Sequence, residues 1–305
     1  ILKNYYKSPQ AQKDRNKFCI ISLLEDFDTK ATEKRFKHSD GKSYGKGTLV
    51  AYRNLKAHLI AFEDENGKIK PQNVDYNLYQ DLLFHFNEAG HNLNTQGKMI
   101  KNIKAFLAKL NTHYNIEFKN YKKKLWIQPK EKSLSTYFTK AELYKLLEAD
   151  LSELDNSKTK ERVRDIFVFN ALTCGMRISD LKRFNDFEIS KEKQDDEVYN
   201  VFTFNQYKTG GEVYAPISSL AQKIYDKYNG DFTLPTEQKC NEYLKEIAEH
   251  CGFTKLIQIK EKGKVVKEAI RFELITNHTA RRSFCTNAYQ DGLDTMLIMA
   301  ISGHD

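Results

Sequence analysis

The sequence predicts a mainly α protein with a small β component, organised as two domains. Three observations carry this expectation. Apolar residues recur at helical spacing within residues 1–118. A lysine-rich stretch with little periodicity follows at 119–135, and one strong strand–turn–strand signal lies at 198–218 among further helical segments. A length of 305 residues suits two domains that each bury a core of their own.

The first domain reads as four helices. "NKFCIISLLEDF", residues 16–27, supplies the first. In "TLVAYRNLKAHLIAFE", residues 48–63, Leu49, Tyr52, Leu55, Leu59 and Phe62 form one apolar stripe. Thr48 is placed to cap that helix after the turn-forming Gly45 and Gly47. "YNLYQDLLFHFNEAG" follows at 76–90 and is closed by Gly90. In "TQGKMIKNIKAFLAKLNTHY", residues 95–114, Met99, Ile103, Phe106 and Leu110 face inward, while Lys98, Lys101, Lys104 and Lys109 fall mostly outside that stripe.

"KNYKKKLWIQPKEKSLS", residues 119–135, holds six lysines, one acid and Pro129, and reads as an interdomain linker between 1–118 and 136–305. Its Lys122, Lys123 and Lys124 suit a phosphate backbone or equally a solvated connector. The second domain opens near Thr136 with a helix capped by Thr139.

Bulk composition narrows the function. No run approaches 18 continuous apolar residues, so no membrane partner is expected. The five cysteines form no CxxC pair, which argues against structural zinc and fits a reducing cytosol. A net charge of +8 suits a polyanionic partner, and suits a merely soluble chain as well.

Three segments of the second half carry candidate chemistry. In "LTCGMRISDLKRF", residues 172–184, an apolar helix runs into Gly175, and Arg177 precedes a new helix seeded by Ser179 and Asp180. An arginine beside a helix start favours phosphate, although a surface ion pair looks the same. In "VYNVFTFNQYKTGGEVYAPIS", Val201, Thr203 and Asn205 alternate with Phe202, Phe204 and Gln206, and Lys208 sits at the turn. In "NHTARRSF", residues 277–284, Asn277 caps a helix whose His278 and Arg281 share one face. Each of these signals is weak alone.

Their order is specific. Arg177, the hairpin Lys208, the His278–Arg281 helix and then Gly303–His304 resemble the ordered signature of the tyrosine recombinases, the phage-integrase family. "TCGMRISDL" is similar to that family's Thr-Gly-Leu-Arg-x-Ser-Glu/Asp-Leu, and "HTARRSF" to its His-x-x-Arg-His/Arg-Ser/Thr-Phe. Cys174, Met176 and Ser302 depart from the pattern without removing a charged group. The style of these segments resembles integrases of conjugative or mobilisable transposons.

The resemblance implies a helical, SAM-like core-binding domain over 1–118 and an α+β catalytic domain over 136–305. It implies strand cleavage and rejoining on double-stranded DNA by a homo-tetramer, with accessory DNA-bending or directionality factors as further partners. Arg177 and Arg281 would clamp the phosphate, Lys208 would protonate the leaving oxygen, His278 would bond the phosphate or assist the nucleophile's deprotonation, and His304 would donate another bond to the phosphate. Asp180 would support the arginines. Lys98, Lys101, Lys104, Lys122, Lys123 and Lys124 would contact DNA. No cofactor and no metal are expected, because fixed cations already neutralise the phosphate. The setting implied is the bacterial cytoplasm, in association with the nucleoid.

The nucleophile implied is a tyrosine about nine or ten residues beyond the Gly-His. Since "ISGHD" ends the sequence at Asp305, the chain is expected to be cut before it and to be cleavage-deficient as it stands. Tyr289, in "CTNAYQDG", is expected to pack rather than to react. Two alternatives share these residues: a type IB topoisomerase, and a non-catalytic DNA-binding protein of the same fold.

Overall fold

The computed structural model describes residues 19–304 apart from 39, 195, 196 and 263. The chain divides into two compact units, Ile1–Lys132 and Ser133–Asp305. It is mainly helical, with five short strands among the described residues.

The first unit holds α1 (Ile20–Thr32), α2 (Lys46–Asn66), α3 (Tyr76–Glu88) and α4 (Leu93–Tyr114). Of the expected first helix, residues 16–18 lie outside the described residues. Helix α1 starts after Cys19, whose sulfur accepts from the Ser22 amide. Helix α2 begins earlier than its stripe suggested: Gly45 holds the N-cap position in extended backbone, and Thr48 is already helical. Every stripe residue named for α2 and α4 is buried. Phe27 lies at the centre, with the rings of Tyr44, Tyr52 and Phe106 edge-on at 5.1, 5.6 and 5.8 Å. Each such burial contributes about 1.5–3 kcal/mol, and the edge-on geometry adds to it.

The basic stretch is not a free connector through its length. Trp126, the single tryptophan of the chain, is fully buried in the first unit's core, and its indole N–H donates to the Asp75 carbonyl at 3.2 Å. Pro129 lies against Gly97 of α4, where an added Cβ would collide with the proline carbonyl oxygen. Apolar burial of Trp126 places the stretch as far as Lys132 with the first unit.

In the second unit α5 (Lys140–Glu148) starts with a capping box: Thr139 accepts from the Glu142 amide, and Glu142 accepts from the Thr139 amide. The other face of Glu142 takes a forked ion pair from Arg271, which holds its carboxyl below the usual range. Helix α6 (Ser157–Thr173) is buried continuously from Val163 to Ala171, and α5, α8 (Ser219–Lys227), α9 (Glu237–His250) and α10 (Asn277–Gln290) pack around it.

The expected hairpin is present as β2 (Glu197–Asn205) and β3 (Glu212–Pro216), antiparallel with Phe204 opposite Val213. A third strand, β1 (Glu188–Gln194), pairs with β2. The helix expected after Arg177 is a single turn, α7 (Ile178–Leu181). A second hairpin, β4 (Leu256–Glu261) with β5 (Lys264–Ile270), precedes α10, and α11 (Thr295–Ser302) ends at Gly303. No described helix is long and apolar enough to cross a membrane.

Candidate active site

Four stretches of the second unit deliver the sequence-predicted residues to one place, or close to it. The first is the exit from α6. The Asn170 side chain accepts from the Met176 amide at 2.6 Å and donates to the Met176 carbonyl at 3.0 Å, which stiffens the turn. Gly175 takes φ +62°, and a Cβ there would lie 2.6 Å from the Arg281 Cα. Only glycine fits both the conformation and the space. Arg177 emerges from this turn half-buried, and its Nη1 donates to Gln206 Oε1 at 2.6 Å.

Helix α10 supplies Arg281 and His278. Its N-cap is Thr276, one residue before the expected Asn277, which is the first helical residue. Arg281 is buried at 3% exposure, and four of its five guanidinium N–H groups are engaged. Nη1 donates to the carbonyls of Ser302 (2.6 Å) and Gly175 (3.1 Å), Nη2 to Gly303 (3.4 Å), and Nε to His304 Nε2 (3.2 Å). Burial, and then the charge of Arg177, hold its pKa below the usual arginine value.

His278 has an exposed side chain, yet enough of its ring is hemmed in for lost solvation to lower its pKa first. The charges of Arg282, Arg281, His304 and Arg177 then add to the shift. His304 follows Gly303, which takes φ +65° so that the His304 amide bonds back to the Met299 carbonyl at 2.9 Å. Among the described residues no carboxylate lies within 4.0 Å of the Arg177 or Arg281 guanidinium, so the cluster keeps a positive charge.

Lys208 stands apart. It is exposed in the 206–211 turn, and no hydrogen bond links it to Arg177, His278, Arg281 or His304. Asp180 is buried and holds that turn rather than Arg177: its Oδ1 accepts from the Tyr207 amide at 2.7 Å, with Arg183 Nη1 at 3.9 Å.

Two expectations need correction. Lys104 does not project freely from α4: its Nζ donates to the Trp126 carbonyl at 2.6 Å, because the buried indole turns that carbonyl toward the helix. Lys109 likewise donates to the Tyr44 hydroxyl at 3.2 Å. Lys98, Lys101, Lys122, Lys123 and Lys124 are exposed. Tyr289 does not pack; it is 67% exposed at the end of α10.

Gln206 was legible only as one member of an alternating strand. Its side chain is 3% exposed and bonds both Arg177 and the 302–303 backbone. Its inward register beside Phe204 was the available signal.

Residues 136–305 match the phage integrase family. Among solved structures the chain is similar to lambda integrase in a tetramer bound to a Holliday junction, at 12% identity and a TM-score of 0.63, over 98% of this chain and 81% of that one. It is similar to the Tn1549 transposon integrase in complex with transposon right end DNA, at 14% and 0.60, over 94% and 92%. It is also similar to the XerH site-specific recombinase bound to a palindromic difH substrate, at 17% and 0.58, over 95% and 79%. At such identities the likeness is one of fold. A comparison with curated proteins finds no match.

Proposed function

The chain belongs to the phage integrase family, the tyrosine recombinases, and we propose that it cuts and rejoins duplex DNA at a specific site. The cut strand is held as a 3′-phosphotyrosine, whose bond energy lets ligation proceed without ATP or metal. The role proposed is integration or excision of a mobile element in the bacterial cytoplasm, by a homo-tetramer on synapsed DNA.

One observation supports this reading above the others. Arg177 and Arg281 lie close enough for the first to lower the pKa of the second, with no carboxylate paired to either among the described residues. Holding two guanidinium groups together, with only the more distant Asp180 charge to offset them among the described residues, costs stability, and an incoming anion offsets that cost. A phosphodiester under attack develops charge on its non-bridging oxygens, where these donors are most effective. A neutral His278 suits it to accept the nucleophile's proton. Lys208, at the tip of an exposed turn, is the proposed general acid for the leaving 5′ oxygen. The exposed Lys98, Lys101 and Lys122–Lys124 are the proposed phosphate contacts of the first unit.

The test is denaturing electrophoresis after incubation with a nicked trap site. The two arms are the 305 residues and the same residues fused to a segment that carries a tyrosine about nine or ten residues beyond His304. An adduct only in the extended arm supports a tyrosine beyond His304; an adduct from the 305 residues points to an internal one, with Tyr289 the first to replace. Sequence-specific binding with no adduct in either arm would instead mark a DNA-binding module.

A further inference from the structure

We infer that Gln206 is a positioning residue: its side-chain amide couples Arg177 to the 302–304 segment, and so sets where His304 stands relative to the two arginines. Three segments distant in sequence meet at this one amide. Oε1 accepts from Arg177 Nη1 and from Thr209 Oγ1, both at 2.6 Å. Nε2 donates to the carbonyls of Gly303 at 3.1 Å and Ser302 at 3.3 Å. The four bonds use both lone pairs and both hydrogens, so the amide has one orientation only; a flip would turn N–H groups toward a guanidinium.

The neighbouring backbone is shaped to this contact. A Cβ on residue 303 would collide with Gln206 Nε2, so glycine is required there for close approach as well as for its positive φ. Gln206 is itself held by its amide donating to the Gly211 carbonyl and its carbonyl accepting from the Gly210 amide, each at 2.9 Å. It therefore belongs to the same turn as Lys208. One side chain thus ties together the Lys208 turn, Arg177 and the approach to His304.

The chemistry of the amide explains the residue type. Glutamate at 206 would keep an acceptor for Arg177 but would face two carbonyl oxygens with a third. Methionine would keep the length and lose all four bonds. The two substitutions thus separate the Arg177 link from the 302–303 link. The consequence for catalysis rests on the proposed recombinase reading; the coupling itself does not.

The experiment compares Gln206→Glu and Gln206→Met with the parent, in the full-length chain, by amide hydrogen exchange and by single-turnover cleavage of a nicked duplex. Expected in both variants is exchange of the 303 and 304 amides faster by about tenfold or more, with α6 amides unchanged as the internal reference. Around Arg177 faster exchange is expected only in Gln206→Met. Cleavage should fall by about 10- to 100-fold while duplex affinity stays within about threefold, a split that general unfolding would not give. If the methionine variant loses protection throughout α6, the glutamate variant decides. Parental exchange at 303 and 304 in a folded variant overturns the coupling. A parent that cleaves no DNA overturns the functional reading and leaves the exchange result standing.

Discussion

Ser302 Oγ lies 2.7 Å from His304 Nδ1 and 2.6 Å from the Ile298 carbonyl oxygen. The hydroxyl has one hydrogen, and the carbonyl can only accept, so that hydrogen goes to Ile298. His304 must then donate from Nδ1 to Ser302, which leaves Nε2 to accept from Arg281 Nε. In this arrangement a neutral His304 offers no N–H to an anion. An arriving phosphate must draw the Arg281 donor away and have the ring protonated or turned.

Replacing Ser302 with alanine should therefore release the tautomer. Long-range proton–nitrogen correlation spectra of the His304 ring are expected to change from Nδ1-protonated to a mixture. The lost bond to Ile298 should cost about 1 kcal/mol, read from denaturant midpoints. An unchanged ring spectrum would remove Ser302 from control of His304.

Arg177→Ala should slow cleavage by about 10²–10³, equal to about 3–4 kcal/mol, with duplex binding nearly unchanged. Arg177→Lys should not rescue, because an ammonium cannot reproduce the forked geometry. Arg281→Ala is a less clean test, since it also strips donors from the carbonyls of Gly175, Ser302 and Gly303 and should destabilise the fold. Cleavage and gel-shift assays on one preparation distinguish the two cases.

The pH dependence follows from His278. Its folded pKa is lowered from the ordinary value of about 6.5, so folding favours the neutral ring. Its stability contribution is full above that ordinary value and is lost as pH falls through the lowered folded pKa. A bound phosphate offsets the neighbouring cations and raises the pKa again, so binding takes up a proton. Duplex affinity should rise as pH falls from above the ordinary histidine value toward the lowered pKa of the free protein, and His278→Ala should flatten that rise. Binding isotherms across the range check it.

The lysines of α4 should divide into two classes. Lys98→Ala with Lys101→Ala should lower the salt dependence of DNA binding, by a slope of about 0.9 for each phosphate no longer neutralised. Lys104→Ala should leave that slope alone and lower the melting temperature, because its ammonium serves the Trp126 carbonyl. Salt titrations and thermal melts on the same variants separate the classes.

What the sequence made legible was whatever depends on local periodicity. The stripes of α2 and α4, the Thr139 cap and the β2–β3 hairpin follow from spacing a few residues long. Strand β1 did not stand out because "EISKEKQ" is mostly charged; its order comes from pairing with β2. The β4–β5 hairpin leaves Leu256, Val265 and Val266 exposed, so no buried face marked it. Trp126 sat among lysines, and the average charge of the stretch hid the one residue that anchors it. At the candidate site the charged members could be named in advance. Gln206 could not, since its partners lie 29 and 97 residues away and nothing in a neutral amide reveals them.

The turn at Gly175 bears on how a mutational scan of this protein would read. Its missing Cβ is matched to the Arg281 Cα, 106 positions later, so either site alone can veto the other. An assay of surviving variants would score Gly175 and Gly303 as intolerant as the arginine and histidine beside them, although neither glycine carries a group that could react. Sensitivity at this cluster would then report how tightly two backbones are stacked, and only a comparison of DNA binding with DNA cutting, variant by variant, would separate scaffold from chemistry.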